Sequence, residues 1–359
     1  MDENQRTINW NVATMVKSFS SELDFLLTNY DGLTLQERIY CALRIIQHVY
    51  YPILALAGVP VNLVTIVILS RGKCGLSKCV TRYLMAMAMA DLLVVIFDLI
   101  LRHIPILYWE HFHFVESIHV CNIHAVLLYA ATDCSVWFTV TFTFDRCVAI
   151  CHQKLKSTYC TEKRAAVVLW TVSVLSFIKN IFWYFMLTDE YWLQNFPCLC
   201  AVEDDVMKSP VWGTIVFLHN ILTPGVPFVL IMLLNVLTVR HIIVANRARR
   251  RFRDHTGQSP RDLEMESRRK SIILLFVISG NFILLWSIFM VYFIWFRMWF
   301  LKYESVWMPR FVQEIGFMLQ LLSCCTNTCI YAVTQTKFRK QLTNVVKYPF
   351  TLLAKCIKY

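Results

Sequence analysis

Residues 121–151 read CNIHAVLLYAATDCSVWFTVTFTFDRCVAIC. The stretch is long and largely apolar, starts on Cys121 and carries Asp145-Arg146 near its end. It is long enough to cross a bilayer as a helix, since about 20 residues span the hydrocarbon core. An adjacent acid and base at the end of a membrane helix is costly unless the two are paired and used. Cys121 stands 25 residues before Arg146. The rest of the chain must decide what that spacing means.

Composition supports the membrane reading. Of the 359 residues, 57% are hydrophobic and only 16% charged, which no ordinary soluble domain shows. The apolar residues come in blocks of twenty or more. The first 45 residues are polar and mixed, without the basic-then-apolar start of a cleaved signal peptide, so the first span is expected to act as signal anchor. The net charge of +11 invites a nucleic-acid reading, but 25 of the 35 Lys and Arg fall in the four segments that would lie inside and only nine in those outside. That is the positive-inside pattern, with the N-terminus outside. Nucleic acid is therefore not an expected partner.

In chain order, residues 1–45 form an outer tail without an N-x-[ST] sequon. Spans are predicted at 49–70, 83–101, 121–150, 165–187, 211–239, 271–296 and 311–333, with an Arg-rich inner loop at 240–270. The membrane-spanning body thus covers 46–333, and 334–359 is an inner tail. Within it Phe338, Leu342 and Val345 recur at helical spacing between basic residues, the pattern of an amphipathic helix on a membrane surface, ending near Pro349. The expected fold is all-α: a seven-transmembrane helix bundle with a short amphipathic helix after the seventh span.

Each span then carries a special residue: Asn62 in GVPVNLV, Asp91 in MAMAMAD, Ser135 and Asp145-Arg146-Cys147 in the third, Trp170, Pro227, Phe282 with Trp286, and Asn327-Thr328-Cys329-Ile330-Tyr331 with Phe338 beyond. Over roughly residues 49–342 this set resembles the class A (rhodopsin-like) G-protein-coupled receptors. The G-x-P-x-N start and the N-x-x-x-Y of the seventh span look most like the small orphan-receptor branch numbered 139 and 142. The resemblance implies Asp145, Arg146, Asn327, Tyr331, Trp286, Phe282 and Pro227 as activation and coupling residues. It also implies a sodium site at Asp91 with Ser135, Ser323 and Asn327; the alternative is a neutral Asp91 bonded to Asn62 and Asn327. No other cofactor is expected.

The chain departs from the family in places. Ile288 stands for the proline after Trp286, Thr328 for the proline of the seventh span, and Asn235 for the fifth-span tyrosine. Proline kinks helices by deleting a hydrogen bond, so the sixth span lacks the residue that would hinge it there. Arg268 replaces the acid that often clamps the third-span arginine, leaving Asp145 as the main partner of Arg146.

Helical phase sorts the remaining polar residues, because each position turns about 100°. Ser135, Leu128 and His124 share the inward direction of Arg146, whereas Asp133 points away, toward an interhelical hydrogen bond or a pairing with Lys179. Asp98 faces inward two turns from Asp91 and either binds a cationic ligand group or pairs with Arg102 at i+4. Gln313 and Gln320 share the side of Asn327, and Glu314 does not. Trp286, Phe289, Met290 and Phe293 line the inner side of the sixth span. The expected ligand pocket (Asp98, His124, Leu128, Trp286, Phe289, Phe293, Gln313, Gln320) is aromatic-rich with few polar groups. Leu128 stands where amine receptors place an aspartate, which argues against an amine ligand.

Of the 14 cysteines, Cys41, Cys121, Cys198 and Cys200 would lie outside, where disulfides persist. The family pairs the start of the third span with the second outer loop, which implies Cys121 with Cys198 or Cys200 and Cys41 with the other. Cys356 is a candidate for palmitoylation. The NRARRRFR run docks a G protein or anionic lipid, or only fixes topology. The tail after Tyr331 has threonines but no serine or acidic residue, so arrestin is expected to engage weakly and through Thr256, Ser259 and Ser267. No phosphate loop, nucleophile motif or zinc spacing occurs, so an enzyme is not expected. The reading is a plasma-membrane receptor passing an extracellular small-molecule, amino-acid or short-peptide signal to heterotrimeric G proteins. The alternatives are a seven-helix transporter or channel, or a weakly signalling receptor-like protein.

Overall fold

The computed structural model describes residues 12–108, 118–185, 187–188, 192–193, 196–197, 201–202, 209–256, 262–300, 306 and 308–356. Among them are seven helices long and apolar enough to cross a membrane. Span one runs Leu35–Ser70, and span two Lys78–Val94, continuing through widened turns at Val95–His103 into Ile104–Leu107. Span three is Ile118–Cys151; span four is Glu162–Asn180 with a tight turn at Ile181–Phe185. Span five is Pro210–Asn220, a widened turn at Ile221–Gly225, then Val226–Thr256. Spans six and seven are Asp262–Phe300 and Arg310–Thr334, and an eighth helix runs Thr336–Cys356.

Several helices outrun the apolar stretches that announced them. Span one begins at Leu35, well before residue 49, because Thr34 and Glu37 form a capping box. Glu37 takes the Thr34 amide at 2.8 Å, and Thr34 Oγ1 takes the Glu37 amide at 3.4 Å. A helix at Val12–Asn29 packs back on this extension, with the Phe19 ring 6.5 Å from that of His48. The tail expected over residues 1–45 is thus largely helical from Val12. The expected loop 240–270 is also mostly helix, spans five and six continuing to Thr256 and from Asp262. Arg and Ala sustain a helix there, and no Gly or Pro interrupts before Gly257. The eighth helix passes position 349 and ends at Cys356. Span six has no break at Ile288, whose backbone amide a proline would lack.

The bundle packs around span three. Tyr83, Phe142, Tyr331 and Phe338 form one core at its Arg146 end, and Val136, Val140, Ile231, Phe282 and Trp286 form another at its middle. A third, with Tyr51, Val95, Leu99 and Leu321, joins spans one, two and seven. Spans six and seven come close enough that a Cβ on Gly316 would lie 3.1 Å from the Cα of Phe289. Between spans four and five the all-α expectation needs a small addition. Leu187–Thr188 pairs antiparallel with Ala201–Val202, and Trp192–Leu193 with Phe196–Pro197. Phe338 is fully buried against Tyr331, their rings 5.8 Å apart, while Lys337, Arg339, Lys340 and Lys347 are exposed. The eighth helix therefore has the two-faced character its spacing predicts.

Candidate functional site

At the lower end of span three Asp145 and Arg146 are both buried. Arg146 Nε donates to Asp145 Oδ2 at 3.0 Å, and Arg146 Nη2 to the same oxygen. Arg146 Nη1 reaches Ser271 Oγ of span six at 3.4 Å. Two unit charges about 4 Å apart attract by roughly 4 kcal/mol at an effective dielectric of 20, before desolvation offsets part of that. The side chain of Arg268 lies outside the described residues, so the contact from span six that the structure does show is a neutral hydroxyl. Sequence reasoning missed the far side of the acid. Cys79 Sγ donates to Asp145 Oδ1 at 3.3 Å, and Cys160 Sγ to the Asp145 carbonyl at 3.6 Å. Burial, then the nearby Asp145 charge, pushes the Cys160 thiol up to about 11, so it remains protonated.

Midway along the bundle Asp91 is 1% exposed. Ser135 Oγ donates to its Oδ1 and Asn327 Nδ2 to its Oδ2, each at 2.6 Å. Asn62 is not a partner, contrary to one expectation: its Nδ2 donates to the carbonyls of Gly58 and Cys324, each at 3.0 Å, and so ties span one to span seven. Ser323 Oγ donates to the Gln320 carbonyl at 2.8 Å and takes Trp286 Nε1 at 3.3 Å. One carboxylate, two hydroxyls and a side-chain amide carry the hard oxygen donors that a small cation takes, although here Asn327 turns its Nδ2 to Asp91. The residues present fit sodium as chemistry.

Trp286 links this centre to the upper half. Its ring stacks on Phe282 with centroids 5.3 Å apart and meets Phe289 edge-on at 6.1 Å; Phe289 reaches Phe317 at 5.6 Å. Pro227 is buried on span five, and Leu128 and Met290 are buried nearby on their spans. Phe293 and Gln313 are half-buried, and Gln320 is buried with no hydrogen bond to its Oε1. His124 Nε2 lies 2.7 Å from the Phe97 carbonyl. Of the two readings of Asp98, the pair is formed: Arg102 Nη1 donates to Oδ1 at 3.1 Å, with His103 Nε2 3.5 Å away. Glu314, which helical phase sets apart from Gln313 and Gln320, accepts from Gln47 Nε2 of span one at 2.7 Å. That last contact had no signal in the sequence.

Asp133 makes both bonds expected of it. Lys179 Nζ lies 2.7 Å from Asp133 Oδ2, and Asn180 Nδ2 donates to the same oxygen at 2.6 Å. Lys179 also donates to Thr223 Oγ1 at 3.2 Å, where the span-five backbone leaves the helix with φ −151° and ψ 113°. Three spans are joined through one buried carboxylate.

The disulfide expectation is half corrected. Cys121 is disulfide-bonded, while Cys198 and Cys200 lie outside the described residues. Cys41 is a thiol, so the expected tie from the tail is not formed. Residue 41 lies within the helical extension of span one that begins at the Thr34–Glu37 capping box. Ser259 and the side chains of Thr256, Ser267 and Cys356 also lie outside the described residues.

Comparison with known proteins agrees with this arrangement. Residues 61–331 match the family described as 7 transmembrane receptor (rhodopsin family). The chain is also 22% identical over 301 residues to a protein of Drosophila melanogaster named FMRFamide receptor, covering 80% of this chain and 51% of that one. The chain thus spans about half the length of that curated relative.

Proposed function

Because the chain belongs to the rhodopsin family of seven-transmembrane receptors, we propose that it turns binding of an extracellular small molecule, amino acid or short peptide into activation of heterotrimeric G proteins at the plasma membrane, with its N-terminus outside. The observation that carries this reading is the buried Asp145–Arg146 pair set against Ser271 of span six. An arginine held on a neighbouring acid and, among the described residues, on one hydroxyl of span six is poised to be released when that span moves. The bundle then has two states, and a ligand acts by favouring one. Trp286 supports the link, since it bonds Ser323 on span seven and stacks on Phe282 one turn toward Arg146.

A peptide is the favoured ligand class. The relative named for a peptide supports it, as does the pairing of Asp98, the inward carboxylate of span two nearest the outer side, with Arg102. No unopposed carboxylate stands at Leu128 to select an amine. Asp91, Ser135, Ser323 and Asn327 would hold sodium, which supplies a fixed positive charge among them. The protein's own part is to bring Ser135 of span three and Asn327 of span seven onto the Asp91 carboxylate of span two, with Ser323 one turn from Asn327.

The test compares basal second-messenger output for wild type, Asp145→Asn and Arg146→Ala, matched for surface level. Asp145→Asn is expected to raise output and Arg146→Ala to abolish it. Full output retained by Arg146→Ala sinks the reading.

A further inference from the structure

The geometry points to Cys79 as a positioning residue that holds the Asp145 carboxylate in the one orientation that pairs with Arg146. This inference rests on the receptor reading above. Asp145 Oδ2 is taken by the Arg146 guanidinium, and Oδ1 faces Cys79 Sγ at 3.3 Å, a donor from a different span. Both residues are buried, Cys79 at 3% exposure and Asp145 at 1%, so water does not readily substitute for the thiol. A carboxylate accepts at both oxygens, and a buried acceptor left without a donor is costly.

Cys79 is aimed by its place in the chain. Ser77 caps span two, its Oγ taking the Val80 amide at 3.4 Å, so Cys79 sits in the first turn. The positive end of a helix dipole lies there and favours a nearby anion. The turn is anchored in its place relative to span four, since Arg82 reaches Glu162 at 2.8 Å and Lys78 reaches it at 3.8 Å. From the span-four side Cys160 Sγ holds the Asp145 carbonyl at 3.6 Å. The acid is thus fixed at its backbone and at its outer oxygen, and only Arg146 is left to move.

The consequence has a sign. The paired state needs one carboxylate rotamer, whereas the released state does not. A bond that fixes that rotamer therefore favours the paired state. Removing it loosens the restraint and raises basal activity, by less than removing the charge of Asp145 does.

Infrared spectroscopy of the purified full chain tests the contact, and basal signalling tests its role. The Cys79 S–H stretch, isolated by subtracting the Cys79→Ala spectrum, is expected at low frequency and should move up in Asp145→Asn. In cells matched for surface level, Cys79→Ala is expected to raise basal output about two- to fivefold, the range for one weak donor on a charge. Cys79→Ser, which keeps a donor, should restore the wild-type value within about twofold. Cys79→Ala added to Asp145→Asn should add nothing. A thiol band indifferent to Asp145→Asn overturns the proposal. So does a Cys79→Ala output at or below wild type while Asp145→Asn is raised. An intact thiol band with Asp145→Asn silent refutes the restraint reading of the ion pair, and the positioning role falls with it.

Discussion

Asn327 Nδ2 and Asp91 Oδ2 meet at 2.6 Å across spans seven and two, while Ser135 holds the other carboxylate oxygen from span three. A sodium ion at this centre has to replace those two direct bonds with ion–oxygen contacts. A ligand at ten times its Kd stabilises the folded chain by about 1.4 kcal/mol. Replacing choline chloride by sodium chloride is therefore expected to raise the thermal unfolding midpoint of the wild type. Asp91→Asn, which keeps a hydrogen-bonding side chain but removes the charge, should abolish that response. A wild type indifferent to sodium at constant ionic strength would leave the centre as a hydrogen-bonded triad alone.

The Asp133–Lys179 pair offers a second test. Removing one member of a buried pair strands the other charge, at a cost of roughly 3–5 kcal/mol, whereas removing both costs less. Here Lys179 is 21% exposed, which lowers the single-mutant figure. Lys179→Met and Asp133→Asn are each expected to lower the unfolding midpoint, and the double variant to lie above their sum. Additive losses measured in a double-mutant cycle would show that the two charges do not support each other. Because Lys179 also holds Thr223, Lys179→Met alone should speed hydrogen exchange around 221–225.

The extension of span one can be probed without any ligand. Thr34→Ala removes a capping interaction of about 1 kcal/mol. Hydrogen exchange over residues 35–40 should then quicken about fivefold, with residues 55–65 unchanged. Equal rates in both chains would mean that packing of the Val12–Asn29 helix, and not the cap, holds the extension.

What the sequence discloses follows from what produces its signals. The spans announce themselves because lipid demands long apolar runs, and helical phase separates Asp133 from Ser135, which bond to different neighbours. Helix ends are less visible. Hydropathy marks where the bilayer ends, not where hydrogen bonding ends, so the continuations to Thr256 and from Leu35 read as loop and tail. The Thr34–Glu37 box was readable as T-x-x-E and would have moved the boundary. Cys79 against Asp145 was not readable: the two are 66 positions apart, and a thiol in the short basic segment 71–82 carries no pattern that points to span three. Gln47 with Glu314 is hidden for the same reason, being 267 positions apart.

Two glycines give opposite expectations for the same substitution. Gly280 lies in span six, exposed, and a Cβ there meets nothing within 4 Å. Glycine inside a helix costs about 0.5–1 kcal/mol relative to alanine, because more backbone freedom is lost on folding. Gly280→Ala is accordingly expected to raise the unfolding midpoint. At Gly316 the new methyl would lie 3.1 Å from the Phe289 Cα and 3.3 Å from its Cβ and backbone nitrogen. Backbone cannot rotate aside as a side chain can, so spans six and seven must part. Overpacking of this kind costs typically 1–3 kcal/mol, which outweighs the gain in helix propensity. Gly316→Ala should therefore lower the midpoint, and it should also disturb the Trp286–Ser323 bond one to two turns away. Thermal unfolding of the two variants beside wild type decides the matter. A gain at both positions would mean that spans six and seven are not in backbone contact at Gly316.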